Sequence, residues 1–455
     1  MTRFAPSGPL RGELRPPPDK SVSHRAALIG AMSDGEVAVE GYLDAADTRS
    51  TRRAVQQLGA DIVVEEAPQR GALNLRIAGI GLRGPGAQSD DGAGDIDVGN
   101  AGTLLRLLPG WLAGQGMGKW TLDGDESIRR RPVDRIAEPL TRMGAAISCR
   151  DGRLTPVRVE GAHLTGISYR MPVASAQVKS CLLLAGLLAD GSTEVTEPAT
   201  TRDHTERMLA ASGAKVETEE LRTVPTRGGG PARRITIGSA EALNAGRIVV
   251  PADFSSAAFP LVAATIVEGS EVRLAGVGLN PTRVGLLGIL NRMGAPFEVE
   301  EAREATEPTG AILARHGSLQ ATRVHAEEVA LAIDELPLVA LLGCFAEGTT
   351  VVSGAEELRH KESDRIATVV EGLRGIGADI EAADDGFVVR GTGELAGGRL
   401  DAHGDHRLAM LGAIAGLASR EGVEVTGMEA AGVSYPGFEE DLRALTASSE
   451  RSPTS

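Results

Sequence analysis

Basic residues recur in this 455-residue chain near the starts of apolar, helix-spaced stretches. Lys20, Ser21 and Arg25 open one such stretch, Asn100 and Arg106 sit in a second, Ser175 and Gln177 open a third, and His406 and Arg407 open the last. A helix start already carries unpaired N–H groups and partial positive charge, so a cation there is opposed by about 0.3–1 kcal/mol. A bound anion removes the conflict. Arg131 in RRRPVDR, Arg202 in TTRDHTER, and Lys361 and Arg365 in RHKESDR extend the set along a second series of helices. The ligands implied are small, multiply charged anions, because forked guanidiniums match phosphate and carboxylate oxygens. Two acids accompany them: Asp334 in AIDELP and Glu362 directly after Lys361. Acids beside Lys and His supply proton donors and acceptors near neutral pH. A helix cap is the alternative role for Asp334, and a surface ion pair that for Glu362.

The whole-chain charge sharpens this reading. Lys and Arg number 47 against 62 Asp and Glu, a net charge of −15, which speaks against a nucleic-acid-binding protein. An acidic chain that gathers its cations at equivalent points focuses positive potential in one cleft. With 42 % hydrophobic and 24 % charged residues the composition is that of a soluble globular protein. Aromatics make up only 3 % and Gly numbers 58, so the core is expected to be aliphatic and the helix ends glycine-punctuated. Cys149, Cys181 and Cys344 are far apart, without a Cys-x-x-Cys, and read as small core residues. No secretory h-region and no long apolar run is found, which places the protein in the cytoplasm and away from membranes. GIGLRG at 79–84 is followed by Pro85 rather than a helix and reads as a turn, and the His403 and His406 pair has no third ligand to suggest a metal.

The elements that position these residues repeat. A polar start, about ten apolar or small residues at helical spacing, a glycine and a short alternating strand recur six times. Anchors at Lys20, Asn100, Ser175, Asp253, Asp334 and Asp405 stand roughly 70–80 residues apart. A second, amphipathic helix follows each strand, and five of six end alike: QQLGADI, TRMGAAI, AASGAKV, NRMGAPF and RGIGADI. The Gly is placed for a left-handed C-cap, and the alternation after it predicts another strand. The sixth copy, SYPGFEEDLRALTA, lacks that strand, and LRGEL near the N-terminus is expected to replace it. Each unit reads β-α-β-α-β-β, an α/β (α+β) fold with the first helices buried inside and the sheets outside. The domains are expected at 20–248 and at 1–19 plus 249–445, with hinge crossings near Pro18-Asp19 and Val250-Pro251. Loops are expected at 85–95 and 222–234, and a frayed tail at 446–455.

Taken in order, DKSVSHRA, GNAGTLLR, RRRPVDR, ASAQVKS, TRDHTER, AIDELP, LRHKESDR and GDHRLAM resemble the 5-enolpyruvylshikimate-3-phosphate synthase family from about Pro16 to Leu445. ASAQVKS followed by TRDHTER is similar to the class that includes glyphosate-tolerant bacterial enzymes. The resemblance implies two domains of three β-α-β-α-β-β units each. It also implies transfer of the enolpyruvyl group of phosphoenolpyruvate to the 5-hydroxyl of shikimate 3-phosphate by addition and elimination, without cofactor or metal. By the same resemblance, Lys20, Ser21, Arg25, Ser175, Ala176, Gln177, Arg202, Asp334 and Lys361 hold shikimate 3-phosphate. Lys20, Gly102, Arg131, Gln177, Arg365 and Arg407 hold phosphoenolpyruvate. Asp334 and Glu362 move protons, assisted by Lys20 and His406. Domain closure on shikimate 3-phosphate is expected from the hinge, and a monomer is the default. Two departures stand out: Val433 where many members have a Lys, and Gly102 where tolerant enzymes often have Ala. The nearest alternative is UDP-N-acetylglucosamine enolpyruvyl transferase, which typically has Lys-Asn where this chain has Lys20-Ser21 and commonly a Cys in the loop DGDESIRRRP. A non-catalytic anion sensor would need Asp334 and Glu362 as spectators.

Overall fold

The computed structural model describes residues 1–85, 93–221, 231–303 and 305–447. It forms two compact units, Pro18–Val250 and Met1–Pro17 with Pro251–Ser455. Each unit holds three of the six repeats and its own aliphatic core.

In five of the six repeats the sheet has four strands in one order. The second repeat shows the plan. Its leading strand Ala93–Asp97 runs parallel to Lys119–Asp123, the strand after the opening helix Gly102–Ala113. On the far side Leu154–Glu160 lies antiparallel, and Ala146–Arg150 forms the other edge. A parallel neighbour requires a crossover, and the opening helix supplies it. The second helix of the repeat, Asp134–Arg142, follows the inner strand.

The opening helices are apolar nearly all round and sit within their units. All thirteen residues of Phe254–Ile266 are buried, as are all but the last of His406–Ala418. Close packing is bought with glycine: a Cβ on Gly110 of the second repeat would collide with the Cys181 carbonyl of the third. The second helices end as the sequence requires. Gly59, Gly144, Gly213, Gly294 and Gly377 all have φ between 76° and 108°, the left-handed cap that a side chain resists.

The structure corrects one topological expectation. Arg11–Leu14, the RGEL of LRGEL, does not complete the sixth repeat; it is the leading strand of the fourth, parallel to Glu271–Gly278. The sixth sheet is closed by Thr2–Phe4, antiparallel to Val423–Thr426, whose other neighbour is Gly398–Asp401. The leading strand of the first repeat is likewise not the segment before its helix but Arg247–Val249, parallel to Glu36–Leu43. The two units have thus exchanged leading strands along the chain.

Smaller differences are local. Of the loop expected at 85–95, residues 93–95 already belong to a strand, as do residues 232–234 of the second; residues 86–92 and 222–230 lie outside the described set. The last helix, Phe438–Ala447, runs into the expected tail, of which 448–455 lie outside that set. At 79–84 the chain turns, and Leu82 O accepts from Trp111 Nε1 and Gln115 Nε2. Cys181 and Cys344 are buried and Cys149 half-buried, all free thiols. Among the described residues no helix is long and apolar enough to cross a membrane.

Candidate functional site

In the unit Pro18–Val250 the opening helices carry the expected residues at their starts. Asp19 caps Lys20–Met32 by accepting from Val22 N at 2.8 Å, and Lys20 Nζ lies 3.2 Å from Asp47 Oδ2. Arg25, one turn on, is buried. Its Nε donates to Thr205 Oγ1 at 2.7 Å, Nη1 to Ser21 O at 2.9 Å and Nη2 to Ser180 Oγ at 2.9 Å. It therefore ties the first repeat to the third. Ser175 caps Ala176–Gly186, and Gln177 Nε2 donates to Thr103 Oγ1 at 3.3 Å.

Gly102 begins its helix between two guanidiniums. Arg131 donates to Asn100 Oδ1 at 3.3 Å and Ser127 Oγ at 3.1 Å, while Arg106 donates to the carbonyls of Gly102 and Pro132. A Cβ placed on Gly102 would stand 2.9 Å from Arg131 Nη1 and 3.2 Å from Arg106 Nη1. Arg202 is half-buried in the connection before the helix His204–Ala211.

The other unit gathers acids around its cations. Asp334 lies in the turn before the helix Leu336–Phe345, whose N-cap residue is Glu335. The Asp334 carboxylate faces three cations: Arg365 Nη1 at 3.2 Å, Arg407 Nη2 at 3.5 Å and Lys361 Nζ at 4.0 Å. Arg365 is 1 % exposed and also grips Glu362 at 2.6 Å and Asp405 at 2.8 Å. Burial opposes its charge, but Asp405, Glu362 and Asp334 outweigh burial and hold the guanidinium charged. Burial likewise works against an ionised Asp405, yet Arg365 keeps its carboxyl below the usual range. His406 begins its helix with Nδ1 3.9 Å from Asp405 Oδ1.

Arg407 is steered from behind. Its Nη1 lies 3.9 Å from Glu335 Oε1, and Ser255 Oγ donates to the same Glu335 oxygen. Ser255 in turn accepts from Arg283, which also binds Asp253 at 2.8 Å. The buried Arg407 Nε has no hydrogen-bond partner among the described residues. A donor left open in this way is what an incoming anion satisfies.

The sequence therefore led to Asp334, Lys361, Glu362, Arg365 and Arg407 as a set, and the structure brings them together. His406 sits at the border of that set. Glu335 and Asp405 were missed as functional groups. Asp405 announces itself only as the acid before a helix start, and Glu335 only as the neighbour of Asp334 in DELP. Val433 ends a short 3-10 turn, Met428–Val433. Among the described residues no group of three or more His, Cys, Asp or Glu is placed to hold a metal.

Comparison with known proteins follows the same lines. The profile of the family described as EPSP synthase (3-phosphoshikimate 1-carboxyvinyltransferase) matches residues 4–442. A 3-phosphoshikimate 1-carboxyvinyltransferase of Alkalilimnicola ehrlichii is 46 % identical over 96 % of this chain and 93 % of its own length. That of Thermus thermophilus is 47 % identical over 98 % and 99 %. Among solved structures, an EPSP synthase from Acinetobacter baumannii superposes with a TM-score of 0.83 at 39 % identity, covering 98 % of both chains.

Proposed function

Since the chain belongs to the EPSP synthase family and transfers the enolpyruvyl group of phosphoenolpyruvate to shikimate 3-phosphate, we propose a division of that work among its residues. Lys20, Ser21, Arg25, Ser175, Ala176, Gln177, Arg202, Asp334 and Lys361 hold shikimate 3-phosphate. Lys20, Gly102, Arg131, Gln177, Arg365 and Arg407 hold phosphoenolpyruvate.

Asp334 accepts the proton of the 5-hydroxyl as its oxygen attacks C2 of phosphoenolpyruvate. Glu362 delivers a proton to the methylene carbon C3, giving a tetrahedral intermediate that still carries the phosphate. In the elimination the Glu362 carboxylate takes a proton back from the new methyl group and phosphate leaves with the proton held by Asp334, which forms the enol ether and restores both acids. Lys20 and His406 assist by charge and hydrogen bonding. The observation that carries this reading is the Asp334 carboxylate set among Arg365, Arg407 and Lys361, with Glu362 on the same guanidinium. Cations that orient an acid also hold the substrate's anionic groups beside it.

On this reading the enzyme acts in the cytoplasm as a monomer, without cofactor, metal or nucleic acid. It is also sensitive to glyphosate, because Gly102 leaves room that an Ala methyl would take. Phosphate release from phosphoenolpyruvate by purified protein, without added metal, tests the acceptor. Release with shikimate 3-phosphate but not with UDP-N-acetylglucosamine is expected, and the reverse overturns it. Asp334→Asn is expected to lower kcat about 10²–10⁴-fold. Near-normal turnover would remove Asp334 as the base.

A further inference from the structure

Deep in the unit Pro18–Val250 lies an ionic cluster that the reaction scheme does not use. Lys179, in the opening helix of the third repeat, is fully buried, with Nζ 2.9 Å from Glu197 Oε2 and 2.7 Å from Glu206 Oε1. Glu197 ends the strand Ser192–Glu197, and Glu206 lies in the first turn of His204–Ala211. Between them runs the segment 198–203, which carries Arg202. Thr201 Oγ1 donates to Glu197 Oε2 at 2.6 Å, and Lys179 Nζ reaches Thr201 O at 3.5 Å. On the other flank of Arg202, Asp203 accepts from Arg207 Nε at 2.9 Å.

As a source of stability this cluster is poorly built. Two carboxylates share one ammonium, and the buried Glu197 Oε1 and Glu206 Oε2 have no hydrogen-bond partner among the described residues. Replacing a buried ion cluster by apolar side chains of similar volume is often neutral or even stabilising. Burial raises the Glu206 carboxyl and Lys179 only partly offsets it, while Lys179 is kept charged against burial by Glu206 and Glu197. What an ion cluster provides that hydrocarbon does not is one fixed geometry between the segments that bear it. Here the segments are the one holding Arg202 and the helix whose start bears Ser175, Ala176 and Gln177, one turn before Lys179.

We propose that Lys179, Glu197 and Glu206 are positioning residues for shikimate 3-phosphate, setting Arg202 against the start of the helix Ala176–Gly186. The proposal rests on the assignment of Arg202 and Ser175–Gln177 to that substrate.

The test uses the full-length protein, with the dissociation constant for shikimate 3-phosphate from titration calorimetry, KM for phosphoenolpyruvate, kcat, and a circular-dichroism melt. Glu206→Gln, nearly isosteric, is expected to weaken shikimate 3-phosphate binding about tenfold while KM for phosphoenolpyruvate and kcat stay within about twofold. Added to Arg202→Ala, it is expected to do nothing further, since the cluster acts through Arg202. If Glu206→Gln melts early, Lys179→Arg keeps the charge but spreads it over a rigid fork, and the same binding loss is expected. Unchanged binding in the folded variants overturns the proposal, as does an effect in the Arg202→Ala background equal to that in the wild type. Unchanged binding in Arg202→Ala alone would instead refute the assignment of Arg202, and the proposal with it.

Discussion

Arg25 and Arg365 are both buried guanidiniums, but they are held differently. Arg25 bonds two hydroxyls and a carbonyl, whereas Arg365 binds three carboxylates. Removing Arg365 leaves those carboxylates without their shared cation, so Arg365→Ala is expected to cost about 3–5 kcal/mol in urea unfolding, with activity lost. Gly102→Ala presses a methyl group against Arg131 and Arg106, whose guanidiniums must shift by a few tenths of an ångström. The expected result is a higher inhibition constant for glyphosate together with a higher KM for phosphoenolpyruvate; an unchanged inhibition constant would sink the steric argument. His24 is fully buried, with Nδ1 2.6 Å from Thr51 Oγ1, and burial, Lys20 and Arg25 push it down from 6.5 to about 3. Between those values the unfolded chain binds a proton that the folded chain refuses, so this residue makes stability fall as pH falls from 6.5 toward 3. The slope it adds is at most about 1.4 kcal/mol per pH unit, and His24→Gln should flatten the measured pH dependence by that amount. At this scale the sequence showed which residues carry charge at helix starts. It did not show that Lys179 pairs with Glu197 and Glu206, or Arg407 with Glu335, because such pairs join segments that only tertiary packing brings together.

The repeated element was the most legible feature, since its period, its buried opening helix and its glycine cap are all local patterns. The cap glycines also offer a controlled pair. Gly213 and Gly377 have φ of 95° and 101°, but a Cβ on Gly213 meets nothing within 4 Å, whereas one on Gly377 stands 3.1 Å from Ala396 Cβ and 3.2 Å from Ala396 N. Gly213→Ala is therefore expected to cost about 1–2 kcal/mol of backbone strain alone. Gly377→Ala is expected to cost more, and paired thermal melts would show the difference. Strand assignment was legible only in part. Alternation identifies RGEL as a strand and says nothing of its partner, because a short two-residue period fits any open sheet edge. The open edge of the sixth repeat took Thr2–Phe4 instead, a three-residue strand too brief to register as a pattern.

For the molecule as a whole, the exchanged leading strands decide where it can be divided. Among the described residues, Pro18–Val250 contains every strand of its three four-stranded sheets, including Arg247–Val249, and a core of its own. That piece is expected to fold alone with a cooperative melt. A piece ending at residue 246 loses the strand paired with Glu36–Leu43, which at three cross-strand pairs is expected to cost about 1–3 kcal/mol. The other unit cannot be cut from one stretch of chain, because Thr2–Phe4 and Arg11–Leu14 complete two of its sheets. This has a consequence for birth on the ribosome. Thr2 is made 423 residues before its partner Val425, a wait of roughly 20 to 85 s at 5–20 residues per second. During that interval the complete sequence of the middle unit leaves the exit tunnel and can close its core. Arg11–Leu14 stays unpaired until Glu271–Leu274 has been made, and Thr2–Phe4 until Val423–Val425 has been made, so the unit translated in two instalments completes its sheets after the middle unit.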